Sequence, residues 1–243
     1  MSRWSSSRLK STSLVVVILL LLSGCMYPTS ETPNNEVSAR ESVITVQDAV
    51  DRYFTETELL PIQTADETVP IYEKYKIDFG KLKRTGYMAN VPKMAFENGG
   101  TYQFLIIDEV TKPTVKLLSI IVYQQVDVVQ TEVRQYRNKN GNANPAGDEV
   151  YPGFASVDFK KLGVNEPTVR SVFSNQPLNL LVDQNGQVFV DYGIDIATAI
   201  SKSEVPPKAG EDLRRYLLNA SHYVPVKSTA YHWVNDGPQA VAQ

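Results

Sequence analysis

Few residues in this chain have types and spacings that could do chemistry. Cys25 is the single cysteine. A thiol is a nucleophile, and one cysteine alone cannot close an internal disulfide. Asp78 and Asp158 sit in similar settings, Ile77-Asp78-Phe79 and Val157-Asp158-Phe159. Two carboxylates could do acid–base work if both met in one cleft. The plainer reading gives each a capping role at a short turn. Asp183-Gln184-Asn185-Gly186 begins like a calcium loop but lacks the third ligand position and the closing Glu. With Val188 and Val190 alternating after it, it reads as a hairpin turn. His222 and His232, the only histidines, have no cysteine partner and make a poor transition-metal site. No Gly-rich phosphate loop and no Gly-x-Ser-x-Gly elbow occurs, so no nucleophile has an evident base. The expectation is therefore a non-enzymatic protein without metal or cofactor. Tyr223, Tyr231 and Trp233 lie in a terminal stretch that reads as extended and could anchor a partner. The competing reading packs them back into the core.

Cys25 is positioned by what precedes it. Arg3, Arg8 and Lys10 come first, then nine unbroken apolar residues from Leu14 to Leu22, then Ser23 and Gly24. A basic start, a short apolar run and small residues before a cut site describe a secretory signal peptide. The run is too short for a spanning helix, which needs about 20 apolar residues. Leu22-Ser23-Gly24-Cys25 resembles a bacterial lipobox. That resemblance implies diacylglycerol on the Cys25 sulfur and cleavage just before it. It leaves open a second acyl chain, such as palmitate, on the new amino terminus. Two chains anchor stably where one is marginal.

Cleavage there would leave 219 residues (243 minus 24) and a net charge of 21 minus 27, or −6. That sign argues against nucleic acid and against an electrostatic hold on anionic lipid. A chain of this length and 42% hydrophobic content can bury a real core.

Residues 26–40 are rich in Pro, Ser, Thr, Asn and Glu and read as a flexible tether. A first helix is expected from Thr45, with Val46, Ala49, Val50 and Tyr53 on one face and Leu60-Pro61 at its end. Tyr102–Asp108 and Thr114–Val122 read as a hairpin turning at Lys112-Pro113. Val126, Val129, Val133 and Tyr136 predict a second helix, stopped by Asn140-Gly141-Asn142. A loop with Pro145 and Pro152 follows. Leu178–Val182 and Gln187–Asp191 flank Asn185-Gly186 as a second hairpin. Short helices are expected at Asp195–Ser201 and Glu211–Leu218, and residues 237–243 are expected to be loose.

The two halves read alike. Each has a helix carrying a Tyr (Tyr53, Tyr136), an Asp-Phe-x-Lys-Leu motif (Asp78 to Leu82, Asp158 to Leu162) and a hairpin whose first strand ends in Asp108 or Asp183. The expected fold is α+β: two copies of a helix–loop–β-hairpin unit, with small antiparallel sheets packed on helices, plus a C-terminal helix and extended tail. The expected layout is signal peptide 1–24, lipidated tether 25–40, first unit 41–122, second unit 123–202 and C-terminal region 203–243.

The lipobox, Leu59-Leu60-Pro61-Ile62, Ile77-Asp78-Phe79-Gly80-Lys81-Leu82, Phe96-Glu97-Asn98-Gly99-Gly100-Thr101-Tyr102 and Asp158-Phe159-Lys160-Lys161-Leu162-Gly163 resemble the YphF-type lipoproteins of Bacillus-like Gram-positive bacteria. The resemblance implies a lipoprotein on the outer face of a Gram-positive cytoplasmic membrane and supplies no catalytic residue. The function expected is binding at the cell envelope, to a protein or a cell-wall component. The alternative is a small solute receptor whose ligand lies between the two units.

Overall fold

A computed structural model describes residues 34–242, and the side chains of 36–242. The lipobox residues Leu22, Ser23, Gly24 and Cys25 lie outside them. Residues from Ala39 onward make one compact unit, and Asn34–Ser38 fall outside it.

Helix α1 spans Asn34–Thr57 and begins well before the expected Thr45. The reason is visible in its inward face. Ala39 and Val43 extend the stripe of Val46, Val50 and Tyr53 toward the N-terminus, and all five are buried. The tether expected over 25–40 is therefore helical in its last seven residues, 34–40. Two short helices follow, α2 (Ile71–Lys74) and α3 (Phe79–Arg84). Strands β1 (Tyr102–Ile107) and β2 (Thr114–Ser119) then form an antiparallel hairpin.

This hairpin is buried on both faces, because it is the wall between two cores. Phe104 and Ile106 point into a cluster with Val46, Val50, Phe79 and Leu82. Leu105 and Ile107 point the other way, into a cluster with Val126, Val129, Leu181 and Ile196. The alternation is the period of two of a strand, and it explains the unbroken apolar run of β1. Fully burying one such side chain contributes about 1.5–3 kcal/mol. Gly100 stands just before β1 where the backbone passes very close to Met94: a Cβ would lie 2.1 Å from the Met94 carbonyl carbon.

The second half opens with α4 (Ile120–Lys139), capped by Ser119, whose Oγ accepts from Val122 N. Then come β3 (Ala146–Tyr151), β4 (Phe154–Val157), the one-turn helix α5 (Phe159–Leu162), β5 (Leu180–Asp183) and β6 (Val188–Val190). These strands make a sheet in the order β3-β4-β5-β6. The stretch expected as a loop around Pro145 and Pro152 is thus largely strand, turning at Gly153 with φ +84. Helices α6 (Gly193–Ser201) and α7 (Arg214–Ala220) follow. Strands β7 (Ala230–Val234) and β8 (Gly237–Val241) close the chain as a hairpin. Residues 237–241 are not loose, because Asn235 and Asp236 both take positive φ and turn the chain back onto β7.

The architecture is α+β with small antiparallel sheets on helices and a C-terminal helix and strand pair. The two halves share local contacts. Asp78 N donates to Pro61 O at 2.7 Å, and Asp158 N to Pro145 O at 2.8 Å. Gln47 of α1 accepts from Val115 N at 2.7 Å and donates to Pro113 O at 3.0 Å. Gln130 of α4 accepts from Val188 N and donates to Gly186 O, both at 2.8 Å. Each amide thus joins a helix to the start of its hairpin's second strand. Gly186, at φ +80, lies where a Cβ would meet the Arg137 side chain.

Segment 222–227 runs between the hairpins. It pairs in parallel with β2 at Leu117, and Val190 of β6 donates to Lys227 O. On β2, Lys116 faces α7, and its Nζ donates to Leu218 O and Ser221 O at 2.6 Å each. These are carbonyls of the kind that the end of a helix leaves without partners.

Candidate functional site

A cleft of about 350 Å³ opens where the first hairpin meets the start of α4. Its floor is the side of β1–β2 that faces the second core. Gln103 and Leu118 lie opposite each other in the ladder, and both line the cleft. Ile120, Tyr123 and Gln124, from the first turn of α4, form one wall. Val69, Glu73 and Lys76 form another, and Phe96, which is 55% exposed, stands at the rim.

Local structure places each of these groups. Pro70 precedes α2, where its fixed φ of −54 suits a helix start. That single turn carries Glu73 inward to 5% exposure. Lys76 and Ile77 then run extended, with Lys76 bridging to Leu105 and Ile77 to Ile62. Successive side chains of an extended stretch point to opposite faces. Ile77 enters the first core, so Lys76 falls to the cleft.

The polar groups of the cleft are unevenly satisfied. Glu73 Oε1 accepts from the backbone N of Lys227 at 2.9 Å, and Oε2 is 3.8 Å from Lys227 Nζ. That ammonium lies 3.8 Å from the centre of the Tyr123 ring, a cation–π contact. Lys227 takes φ +54, uncommon outside glycine, to make these contacts. Gln103 Nε2 donates to Glu97 Oε1 at 2.7 Å. Lys76 Nζ has no hydrogen bond or ion pair among the described residues. The arrangement offers an apolar and aromatic enclosure with one uncommitted cation, a pattern suited to binding.

The carboxylates singled out from sequence do other work. Asp78 Oδ1 accepts from Lys81 N at 2.8 Å, capping α3. Asp158 Oδ1 accepts from Lys160 N and Lys161 N, capping α5. The Lys161 backbone N–H holds the Asp158 carboxyl below the usual aspartate range. Each Asp serves its own helix, as the plainer reading had it. Asp183 closes the β5–β6 turn, its Oδ1 accepting from Gln187 N at 2.7 Å. His222 lends its carbonyl to Leu117 N, and His232 stands opposite Gln239 in the β7–β8 ladder. Among the described residues, no group of three or more His, Cys, Asp or Glu could hold a metal ion.

The aromatic trio separates. Tyr231 is fully buried and donates its hydroxyl to Asp191 at 2.9 Å, so it offers no surface to a partner. Tyr223 is half-buried against Tyr102, with ring centres 5.6 Å apart. Trp233 is half-buried against the second core. Asp191 also accepts from Tyr151 Oη at 3.0 Å and Gly193 N at 2.9 Å. Burial, with the Asp191 charge added, pushes the Tyr151 and Tyr231 phenols well up. They stay protonated at neutral pH and serve as donors to Asp191 in a buried hydrogen-bonded network. Ser171 gives its proton to Asp195 at 2.6 Å while its oxygen accepts from Phe173 N and Ser174 N. That hydroxyl is committed to local structure.

Glu73, Lys76, Tyr123 and Lys227 carry no sequence motif. Glu73 and Lys227 meet across 154 positions, and no local pattern reports such a contact.

Residues 39–119 match the model of the YphF family N-terminal domain. The matched span runs from the start of the compact unit to Ser119, the last residue of β2 and the cap of α4. No curated protein and no solved structure matches the chain. Among the described residues no helix is long and apolar enough to cross a membrane.

Proposed function

We propose that the chain is a YphF-type lipoprotein, held by diacylglycerol on Cys25 at the outer face of a Gram-positive cytoplasmic membrane, and that its folded body is a non-enzymatic binding protein of the envelope. Support for the anchor is the register of basic start, apolar run and Leu22-Ser23-Gly24-Cys25. The binding role rests on the cleft beside β1–β2, with its aromatic rim and convergent polar groups.

Among binding roles, the cleft favours a receptor for a small ligand. Its walls come from both halves of the chain, Glu73 and Lys76 from the first and Tyr123 and Gln124 from the second. A protein or wall component that binds elsewhere is the competing role.

Two measurements test this reading. Cys25→Ala should leave the precursor uncut or release the protein from the membrane fraction. A Cys25→Ala protein that is cut and still fractionates tightly with membranes removes the anchor. Thermal unfolding of the full-length protein in detergent should shift upward with one class among wall fragments, peptides, sugars, amino acids and nucleotides. A ligand at about 100 times its dissociation constant adds roughly 2.7 kcal/mol. No shift with any class removes the small-ligand role.

A further inference from the structure

We infer that the cleft takes a small amphipathic carboxylate, an apolar body about the size of one or two amino acids ending in a single negative charge. This rests on the reading of the cleft as a binding site. Charge bookkeeping inside the cleft sets the sign. Glu73 is engaged by Lys227, through both its backbone N–H and its ammonium. Glu97 keeps its charge but does not line the cleft, and its Oε1 accepts from Gln103 Nε2 at 2.7 Å. Lys76 is then the lining charge without a partner among the described residues, and it is half-buried. A half-buried ammonium gains most from an anion brought to it, because the site is less screened than open surface. The chain as a whole is acidic, so this cation stands against the general field.

Size and shape set the rest. About 350 Å³ is near the lower end of ordinary ligand sites, roughly 300–1,000 Å³. That leaves room for about one or two residues and excludes a folded segment or a longer stretch of polymer seated in the cleft. Leu118, Ile120 and the exposed Phe96 ring supply apolar contact for the body of the ligand. One lysine is a single point charge, so it balances a monoanion and would leave a phosphate dianion half compensated. A free amino acid with an apolar side chain, an acylated amino acid and a peptide C-terminus share this chemistry.

Three probes that share a phenylalkyl body separate the classes: N-acetylphenylalanine, its amide of equal bulk, and the smaller cation phenethylamine. Binding to the full-length protein in detergent is followed by ligand-observed NMR and calorimetry. The acid should bind about tenfold more tightly than the amide, the factor one charge-assisted hydrogen bond carries. Lys76→Gln should erase that preference, Lys76→Arg should keep it, and Phe96→Ala should weaken acid and amide alike. Circular dichroism on each variant reports that the fold is intact. A preference for the acid that survives Lys76→Gln overturns the inference. So does an amine or amide that binds as well as the acid and is lost with Phe96→Ala, though the cleft then stands as a binding site. If none of the three binds, the reading of the cleft as a ligand site falls with the inference.

Discussion

Leu117 and Val190 donate their backbone N–H groups to the same extended segment, Leu117 to His222 O at 2.9 Å and Val190 to Lys227 O at 2.8 Å. The two residues hold matching places, each two positions after the valine gripped by its half's glutamine, Val115 or Val188. Segment 222–227 therefore covers the open edge of both second strands. An uncovered strand edge is a row of unpaired backbone groups and a template for aggregation. Val224 and Val226, each 1% exposed, seat the segment in the second core.

Val224→Pro should be strongly destabilising. It removes the N–H that bonds Leu117 O at 3.0 Å. The expected loss is about 3 kcal/mol, the order seen when proline deletes a needed backbone bond. Urea unfolding followed by circular dichroism measures it. A variant within 0.5 kcal/mol of the parent, about the spread of ordinary surface changes, would show that the segment is not holding the edges.

The glutamine pair should be unequal. Gln130 is 7% exposed, so Gln130→Ala leaves Val188 N and Gly186 O without partners in the interior. The expected cost is about 3 kcal/mol. Gln47 is only half-buried, and water can replace its bonds to Val115 N and Pro113 O. Gln47→Ala should cost about 1 kcal/mol. Equal losses in parallel urea titrations would contradict the burial argument.

Stability should fall on the alkaline side. Burial pushes the Tyr151, Tyr192 and Tyr231 phenols above the ordinary tyrosine value of 10.0. Between the unfolded value, about 10, and the raised folded values, the folded protein holds more protons than the unfolded chain. The contribution of these phenols is thus complete below about pH 10 and is lost as pH climbs through the folded values. Urea midpoints measured from about pH 8 to about pH 11 should decline, with tyrosinate absorbance from these residues appearing only on unfolding. Tyrosinate absorbance that accounts for all 13 tyrosines while the protein is still folded would refute the assignment.

Removing β8 should matter although it looks like a tail. A stop after Asp236 deletes Ala240, which is 2% exposed, and the Val241 carbonyl that accepts from Thr229 Oγ at 2.7 Å. It also bares one edge of β7. Limited proteolysis should then cut within β7 at protease levels that the parent resists. Equal resistance would restore the loose-tail reading.

Gly100→Ala should be among the most damaging single changes. The added carbon would meet Met94 backbone at 2.1 Å, where no side chain can swing aside. A loss of about 3 kcal/mol or more in thermal or urea unfolding is expected. An alanine variant of parental stability would mean that the 94–102 backbone shifts freely.

Much of this was readable in advance where the pattern is local. The apolar stripes of α1 and α4, the Asn185-Gly186 turn and the capping roles of Asp78 and Asp158 each depend on neighbours a few positions away. Strand β3 leaves no signal in the sequence because its four middle residues, Gly147 to Val150, are all exposed, so no alternation marks it. Its ladder with β4 is also irregular, with register shifts between Ala146 and Glu149 and again before Tyr151. Strand β8 carries Pro238, which sequence rules demote, yet a proline is tolerated in an edge strand. The early start of α1 was masked by polar residues on its outer face around Ala39 and Val43. The cleft was invisible because its charge pattern depends on Lys227 reaching Glu73 from the far end of the chain.

Segment 222–227 also has a consequence for the order of events during synthesis. Chains emerge from the N-terminus onward, and helices with nearby hairpins form on the microsecond scale. Here α1, β1 and β2 can assemble early, but Leu117 finds no edge partner until His222 has emerged. The same residues complete Val190 in the later half. From the emergence of Ser119 until that of His222 the first half therefore has one strand edge open, a window in which a holding chaperone would find its binding surface.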